Sequence, residues 1–347
     1  MGIKNLNKFI KKYANLSIQE IPLEEFQNKK VAIDTNLWLA ANINIISNNE
    51  LKNTNFINCD EINKDIILNK LSVALVYFII KWLKYKIIPI FIFDGKSIEM
   101  KKETIDKRRK IKIEKKEKIT LLKSKLKDSN IEDLEENAKN LEKEHKNYCE
   151  MNSSYFELIY NILDIIRIPY FFSKNCDAEK LCSMLCIEQI VHGVYSKDTD
   201  NLVYLCPILI RNFVKNVENK DIIECVIFDK ILEESKFTKD QFIDFCILCG
   251  TDYNNNIPKY GIKRNYDLLN KHKSFNNFKE NTNINLNCLN YEKCKEIFTY
   301  HSSNLLTDYD TESLRNFKFT KNENLYSLIQ FKISTSIINT LQKYYCC

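Results

Sequence analysis

The sequence is poor in glycine and proline, with five of each in 347 residues, and in arginine, which supplies six of 52 basic residues. Lys, Asn and Ile are over-used instead. That bias fits an AT-rich genome and blunts any reading of charge: a net +6 permits a polyanionic partner without requiring one. No basic and apolar leader opens the chain, so the thirteen scattered cysteines do not read as a disulfide framework and imply a reducing, intracellular setting. Cys246 and Cys249 form a lone CxxC with no second pair at zinc spacing and read as core packing, while Cys346-Cys347 has no assigned role. The longest apolar stretch, Leu71 to Trp82, is broken by Ser72 and Lys81 and is too short for a bilayer, so no membrane role is expected. Met1-Gly2 is followed by Leu6 where a myristoylation signal needs Ser or Thr. There is no internal repeat. The 44% apolar content, over this length, supports a core for one large domain or two small ones.

Val31 to Ile33 and Ile87 to Phe93 are short, bulky, β-rich runs, and they are followed by Asp34 and ended by Asp94 respectively. Both predict buried strands. The amphipathic pattern from Lys64 to Lys84 predicts a helix between them, hence a crossover in a parallel sheet. In such folds ligands sit outside the carboxyl ends of the strands, where these two aspartates fall. Residues 101–128 carry thirteen Lys/Arg against five Asp/Glu, and 131–150 carry three against seven, with a break at Asp128-Ser129-Asn130. This predicts a helical hairpin of opposite-signed halves. A solvated hairpin held by mutual charge pairing and a DNA-facing arm are equally good readings of it. Further on, the pattern predicts a helix to Ile166, a strand at Ile168 to Phe172, a helix from Cys176 to Val191 and a strand at Gly193 to Ser196. A strand pair at Ile208 to Val214 and Ile222 to Phe228 follows, then a helix from Thr238 to Leu248 capped by Thr238 and closed by Gly250. Beyond Asn270 the expectation is helical.

Asp177 and Glu179 stand where a helix should begin, with Asn175 as a candidate cap. A helix N-terminus lowers the cost of negative charge there. Asp198 and Asp200 follow a strand, where residues two apart point the same way. Asp252 follows Gly250-Thr251 at a helix end, a place unfavourable for an acid unless a cation compensates it. Each pair alone is better explained by helix-dipole or turn chemistry. Together, five element ends carry acids that a parallel α/β fold would bring to one edge, and so many carboxylates could not all ionise without cations. Oxygen-only ligands with no His or Cys cluster point to Mg²⁺ or Mn²⁺ rather than Zn²⁺. Two such ions suit in-line phosphodiester hydrolysis.

At this point the motifs resemble those of the flap endonuclease family, the XPG-type structure-specific 5′ nucleases. Met1-Gly2-Ile3-Lys4-Asn5-Leu6, Val31-Ala32-Ile33-Asp34-Thr35-Asn36 and Ile92-Phe93-Asp94-Gly95 look like its N-terminal set. Asp177-Ala178-Glu179, Ser196-Lys197-Asp198-Thr199-Asp200 and Leu248-Cys249-Gly250-Thr251-Asp252-Tyr253 look like its internal set, in matching order and spacing. The likeness covers about residues 1–45, 70–110 and 165–270. It implies an α/β, PIN-like fold: a mostly parallel central sheet flanked by helices, with a helical arch insertion and a helix-two-turn-helix region. The implied division is 1–100 and 151–270 as the nuclease core, 101–150 as the arch, a helix-two-turn-helix near 254–270, and 271–347 as a helical extension.

The resemblance further implies that Asp34, Asp94, Asp177, Glu179, Asp198, Asp200 and Asp252 line a site for two Mg²⁺ ions, with Mn²⁺ as a substitute. Asp177 is shorter than the usual glutamate. Lys101 and Arg108 match residues that contact the scissile phosphate, with Arg109 a neighbouring candidate. Trp38 is a candidate for base stacking and an equally good core residue, and Gly2 is a candidate DNA contact. Gly261, Lys263 and Arg264, in the segment 256–264, match the grip on duplex phosphates. There Lys259 replaces an expected glycine and Pro258 precedes it, which tells against the family's K⁺. The implied activity is structure-specific 5′ nuclease action on branched or flapped double-stranded DNA, in replication, recombination or repair. A Holliday-junction resolvase of the same family and a non-catalytic DNA-binding scaffold are the alternatives. No sliding-clamp motif is present. The composition and short ending resemble a large-DNA-virus, poxvirus-like member, which implies host cytoplasm; a cellular member implies the nucleus.

Overall fold

The computed structural model describes residues 3–53, 63–95, 101–128, 131–145, 151–214, 221–299 and 306–345. Gly2, Ser129-Asn130 and Cys346-Cys347, all named above, lie outside them. The chain divides into two compact units. The first comprises Met1–Thr35, Tyr85–Lys102 and Tyr170–Phe317; the second comprises Asn36–Lys84, Glu103–Pro169 and Lys318–Cys347. Residues 318–345 thus group with the second unit and 306–317 with the first.

The first unit is built on a seven-stranded sheet. Its strands are β1 (Ile18–Pro22), β2 (Lys30–Asp34), β3 (Ile88–Phe93), β4 (Tyr170–Phe172), β5 (Gly193–Tyr195), β6 (Ile208–Val214) and β7 (Ile222–Ile227). The spatial order is β1-β7-β6-β5-β2-β3-β4. The run β6-β5-β2-β3-β4 is parallel, while β7 is antiparallel to both β6 and β1. The mostly parallel α/β expectation therefore holds, with an antiparallel border. β2 and β3 read as continuous apolar runs because both of their faces are covered. Ala32, Ile90, Ile92 and Val194 pack against Ala178, Leu181, Cys182 and Leu185 of α7 (Ala178–Ile187). Leu209 and Val226 pack in a second cluster with α1 (Leu6–Tyr13), α9 (Phe228–Ser235) and α10 (Lys239–Cys249). A buried Leu or Ile contributes roughly 1.5–3 kcal/mol by removal from water. α8 (Asp200–Val203), α11 (Ile262–His272), α12 (Phe275–Glu280), α13 (Tyr291–Phe298) and α14 (Thr311–Asn316) complete this unit.

The second unit contains most of α2 (Thr35–Asn53), then α3 (Lys64–Leu83), α4 (Lys102–Asp128), α5 (Ile131–His145), α6 (Ser153–Ile166) and α15 (Thr335–Gln342). α3 differs from the expectation drawn from run length. At 20 residues, with a mean hydropathy of 1.8, it is long and apolar enough to cross a membrane by length and composition. Its Leu71, Leu75, Val76, Ile79, Trp82 and Leu83 are buried instead, and it packs on α6 and α15, which makes it a core helix. Ser72 donates to the carbonyl of Phe331 at 2.7 Å, fastening α3 to the C-terminal segment. The expected hairpin is α4 and α5. Ile119, Leu126 and Leu141 form its small apolar centre, and Lys118 pairs with Glu144 at 2.6 Å.

Candidate active site

β2 ends in Asp34, which is 4% exposed and accepts a hydrogen bond from Ser196 Oγ at 2.8 Å just past β5. Asp94 follows β3, and its Oδ1 accepts from the Ala178 amide at the start of α7, 3.1 Å away. An acid at a strand end thereby satisfies an orphan donor at the start of a helix that packs on the sheet. Gly95 makes this approach possible. Its amide donates to Ser173 Oγ at 2.9 Å, and any Cβ there would sit 1.9 Å from the Ser173 carbonyl oxygen.

The N-cap of α7 is Asp177, not Asn175, which lies two residues earlier at φ 56°. Asp177 does not cap its own helix with its side chain. Its Oδ2 accepts instead from Lys101 Nζ at 2.8 Å and from the Tyr253 hydroxyl. Glu179 lies in the first turn, as expected, and its Oε2 is buried without a hydrogen-bond partner.

Asp198 and Asp200 come together by a turn rather than by continuation of the strand. The Asp198 amide donates to Ser196 Oγ at 3.2 Å, and Asp198 Oδ1 accepts from the Asp200 amide at 3.4 Å as α8 begins. This is the local side-chain-to-backbone bonding that aspartates favour. Asp200 Oδ1 also accepts from the Ile3 amide at 2.7 Å. Asp252 is set by the end of α10. Thr238 and Gln241 form a full capping box at the helix start, and Gly250 ends it at φ 91°, where a Cβ would lie 2.8 Å from the Asn256 nitrogen. Thr251 Oγ1 then donates to Asn254 Oδ1 at 2.6 Å and accepts from the Tyr253 amide at 3.1 Å, fixing the turn that carries Asp252.

The seven acids and Lys101 share one electrostatic neighbourhood inside the first unit. Burial, and then the charges of Asp34, Asp94 and Asp177, push Glu179 well above the usual carboxylate range against the pull of Lys101. Burial and Asp198 push Asp200 up to about 8, with Asp252 adding to the effect and the Ile3 amide and Lys101 opposing it. Burial works against the charge of Lys101, but Glu179, Asp177 and Asp252 outweigh it and hold the ammonium protonated.

Among the described residues, no three acidic, His or Cys side chains are already arranged to hold a metal ion. The acids meet other partners: Ser196, the Ala178 and Ile3 amides, Lys101 and Tyr253. The residues nevertheless fit a hard divalent cation. The donors are oxygens, one buried carboxylate oxygen has no partner, and burial and then neighbouring acids raise two of the carboxyls above their usual range, which a cation would oppose. The nearby Cys176 and Cys182 do not suit zinc, because burial pushes both thiols up, Cys176 to about 11.

The other expected residues fall in different places. Arg108 and Arg109 are exposed on α4 in the second unit. Trp38, read above as either a base-stacking or a core residue, is 6% exposed, with its ring 5.2 Å from that of Phe78 in the second unit. Gly261, Lys263 and Arg264 are exposed at the start of α11, with the Arg264 guanidinium 4.1 Å from the Tyr260 ring centroid. Lys259 adopts φ 65°, so the backbone keeps a left-handed conformation where the family motif has glycine. Sequence reasoning missed Ser173, Ser196, Tyr204 and Tyr253 as partners. Ser196 and Tyr253 stood inside the quoted motifs, but nothing in their spacing marked them as partners of acids.

A PIN-like, mostly parallel sheet whose carboxyl edge gathers this many acids together with a half-buried lysine defines a class, the nucleases that hydrolyse phosphodiester bonds. The profiles of the XPG N-terminal domain and the XPG I-region match residues 1–115 and 167–252. Flap endonuclease 1 of Enterocytozoon bieneusi is 31% identical over 277 residues, 80% of this chain and 72% of that protein. Flap endonuclease 1 of Theileria annulata is 32% identical over 91% of this chain, which spans 58% of that relative's length. A probable RAD2-like endonuclease of Invertebrate iridescent virus 6 is 28% identical over 89% of this chain and 81% of its own length. Among solved structures, flap endonuclease-1 from Methanococcus jannaschii shares the fold with a TM-score of 0.57, 23% identity and 95% coverage of both chains. The chain belongs to the flap endonuclease, XPG-type family of nucleases. Cellular and viral relatives both match, so the composition alone does not select a poxvirus-like source.

Proposed function

We propose that the chain is a divalent-metal-dependent, structure-specific 5′ nuclease that cuts branched DNA, with 5′ flaps as its principal substrate. The observation that carries this reading is the gathering of seven acids from five element ends, with Lys101, into one electrostatic neighbourhood, with a buried, partnerless oxygen on Glu179. Asp34, Asp94, Asp177 and Glu179 would hold one Mg²⁺; Asp198, Asp200 and Asp252 would hold a second, with Mn²⁺ as a substitute. Two such ions supply an activated water and a counter-charge for the leaving oxygen. Lys101 places an ammonium among these oxygens, where it can offset charge growing on the phosphoryl group. Arg108, exposed on α4, is proposed as a further phosphate contact. The exposed charges of α4 suit a 5′ single strand, and Lys263 and Arg264 at the N-terminus of α11 suit duplex phosphates. The free cysteines fit a reducing, intracellular setting, and the reading places the work in DNA replication, recombination or repair.

The test is cleavage of labelled 5′-flap, four-way junction and single-stranded RNA substrates with Mg²⁺, comparing wild type with Asp198→Ala. The expected result is flap cleavage that the variant loses by about 10²-fold or more, equivalent to roughly 3 kcal/mol of barrier. Equal cutting by the variant removes the two-metal assignment. Cleavage of RNA alone removes the DNA assignment, and preference for the four-way junction makes the chain a resolvase.

A further inference from the structure

Behind Asp177 lies a layer that none of the acids explains. Tyr253, 7% exposed, donates its hydroxyl to Asp177 Oδ2, the same oxygen that Lys101 engages at 2.8 Å. That hydroxyl also lies 3.1 Å from the hydroxyl of Tyr204, itself buried. A phenol has a single hydroxyl proton, and Tyr253 directs its own at the carboxylate, so Tyr204 must be the donor between them. The result is a directed chain, Tyr204 to Tyr253 to Asp177, in which each bond polarises the next. Burial, and then Asp177, push the Tyr253 phenol far up, and burial likewise raises Tyr204, so both keep their protons at neutral pH.

The two phenol rings are held from one side by Phe298, the last residue of α13, which is edge-on to both at 5.4 and 5.5 Å. Lys180, one turn into α7, donates to the carbonyl of Ile297 at 2.8 Å, with its ammonium 6.0 Å from the Tyr204 ring centroid. α13 is therefore tied to the helix that carries Asp177 and Glu179, and its terminal ring braces the two phenols. Lys101 Nζ also sits 5.4 Å from the Tyr253 ring centroid, so that ring bounds both the lysine and the acid.

We propose that Tyr253, backed by Tyr204 and wedged by Phe298, is a positioning residue that fixes Asp177 through Oδ2 and so leaves Oδ1 to the divalent ion. This gives α13, in the C-terminal part of the chain, a task in the site. The inference rests on the two-metal reading above. An outer partner of a ligating carboxylate restricts its orientation before the ion arrives, and its loss commonly weakens metal affinity 10–100-fold.

Tyr253→Phe deletes only the hydroxyl and keeps the ring that Phe298 and Lys101 touch. Mn²⁺ binding to the full chain is read by electron paramagnetic resonance, alongside the melting temperature without metal and kcat and KM on flap DNA. The expected result is Mn²⁺ affinity lowered about 10-fold, kcat lowered at low Mg²⁺ and recovered at high Mg²⁺, and an unchanged KM and melting temperature. Tyr204→Phe shifts Mn²⁺ affinity the same way by a smaller factor. If Tyr253→Phe binds Mn²⁺ as wild type does while Asp198→Ala does not, the positioning role is wrong and the metal site stands. If the wild-type chain itself binds no Mn²⁺, the two-metal reading falls and this inference with it. If Tyr253→Phe also lowers the melting temperature, Tyr204→Phe decides: unaltered Mn²⁺ affinity in that variant overturns the proposal.

Discussion

The carboxylate edge of the first unit and the α4–α5 hairpin of the second are both dense in charge, and they hold it by opposite means. At the edge, Asp34, Asp177 and Glu179 are buried or nearly so, and their oxygens meet named partners or, at Glu179 Oε2, none. On the hairpin, residues 107–110 are exposed, and the apolar centre further along α4 is, among the described residues, a small cluster around Ile119, Leu126 and Leu141. Taking a charge out of water is costly unless it is paired or compensated, whereas an exposed charge is nearly free. Residue identity should therefore matter sharply at the edge, while on the hairpin only sign and density should matter.

The largest effect that could break this contrast is on Lys101, the cation inside the edge. Lys101→Ala should lower kcat on flap DNA by about 10²-fold, as removal of one preorganised charge-stabilising donor does. DNA affinity, measured with Ca²⁺ in place of Mg²⁺, should change by less than about 3-fold, since only a charge acting in the transition state separates the two quantities. Equal losses in both would make Lys101 a docking charge like those on α4. Next in size is the hairpin's own core. Leu141→Ala should cost about 2–3 kcal/mol by cavity formation. Because Leu141, among the described residues, packs in the hairpin's own cluster, the loss should appear as faster amide exchange confined to α4 and α5 with the main melting transition unmoved. A shift of the whole transition would mean that the hairpin is not an independent local unit.

Glu179→Gln sharpens the edge side. Removing one of several mutually repelling buried charges should stabilise the chelated protein by about 1–2 kcal/mol. It should also abolish the added stability that Mg²⁺ gives wild type. A destabilised variant in thermal melts with chelator would show that Glu179 is held by attraction rather than tolerated. Smaller again is Lys259→Gly. A non-glycine residue at φ 65° carries a left-handed penalty of roughly 1 kcal/mol. The glycine variant should melt slightly higher and bind duplex DNA slightly more weakly through the lost charge. Lower stability would mean that the Lys259 side chain supports the α10–α11 turn.

The same contrast explains what the sequence disclosed. Asp34 and Asp94 were legible because the strands before them are short, bulky and apolar on both faces, which sequence records directly. α10 was legible from Thr238 at one end and Gly250 at the other. α2 was not, because Asn36, Asn42, Asn44, Asn48 and Asn49 are weak helix formers, and packing rather than propensity sets that helix. β1 escaped because it is a five-residue edge strand ending in Pro22, whose register comes from β7. Within the site, the acids announced themselves by position at element ends. Ser196 as the partner of Asp34, Tyr253 as the partner of Asp177 and the Ile3 amide on Asp200 did not. Their chemistry depends on segments 76 to 197 residues apart meeting in space, and no local pattern encodes that.

The smallest prediction tests the hairpin side at its most ordered point. Lys118 Nζ lies 2.6 Å from Glu144 Oε1 and links α4 to α5, the arrangement expected if opposite-signed helices hold each other by charge. Its lysine is more than half exposed, so screening and the entropy of fixing two long side chains remove most of the Coulomb gain. Lys118→Ala should therefore cost less than about 0.5 kcal/mol of hairpin stability, read by amide exchange in α5. Its effect on DNA binding should resemble that of neutralising any neighbouring lysine on α4: a uniform weakening across sequences and a salt slope shallower by about one. If the stability loss instead matched that of Leu141→Ala, charge pairing would be the hairpin's main fastening. α4 and α5 would then be better described as a self-paired structure than as an arm that presents its charge to phosphate.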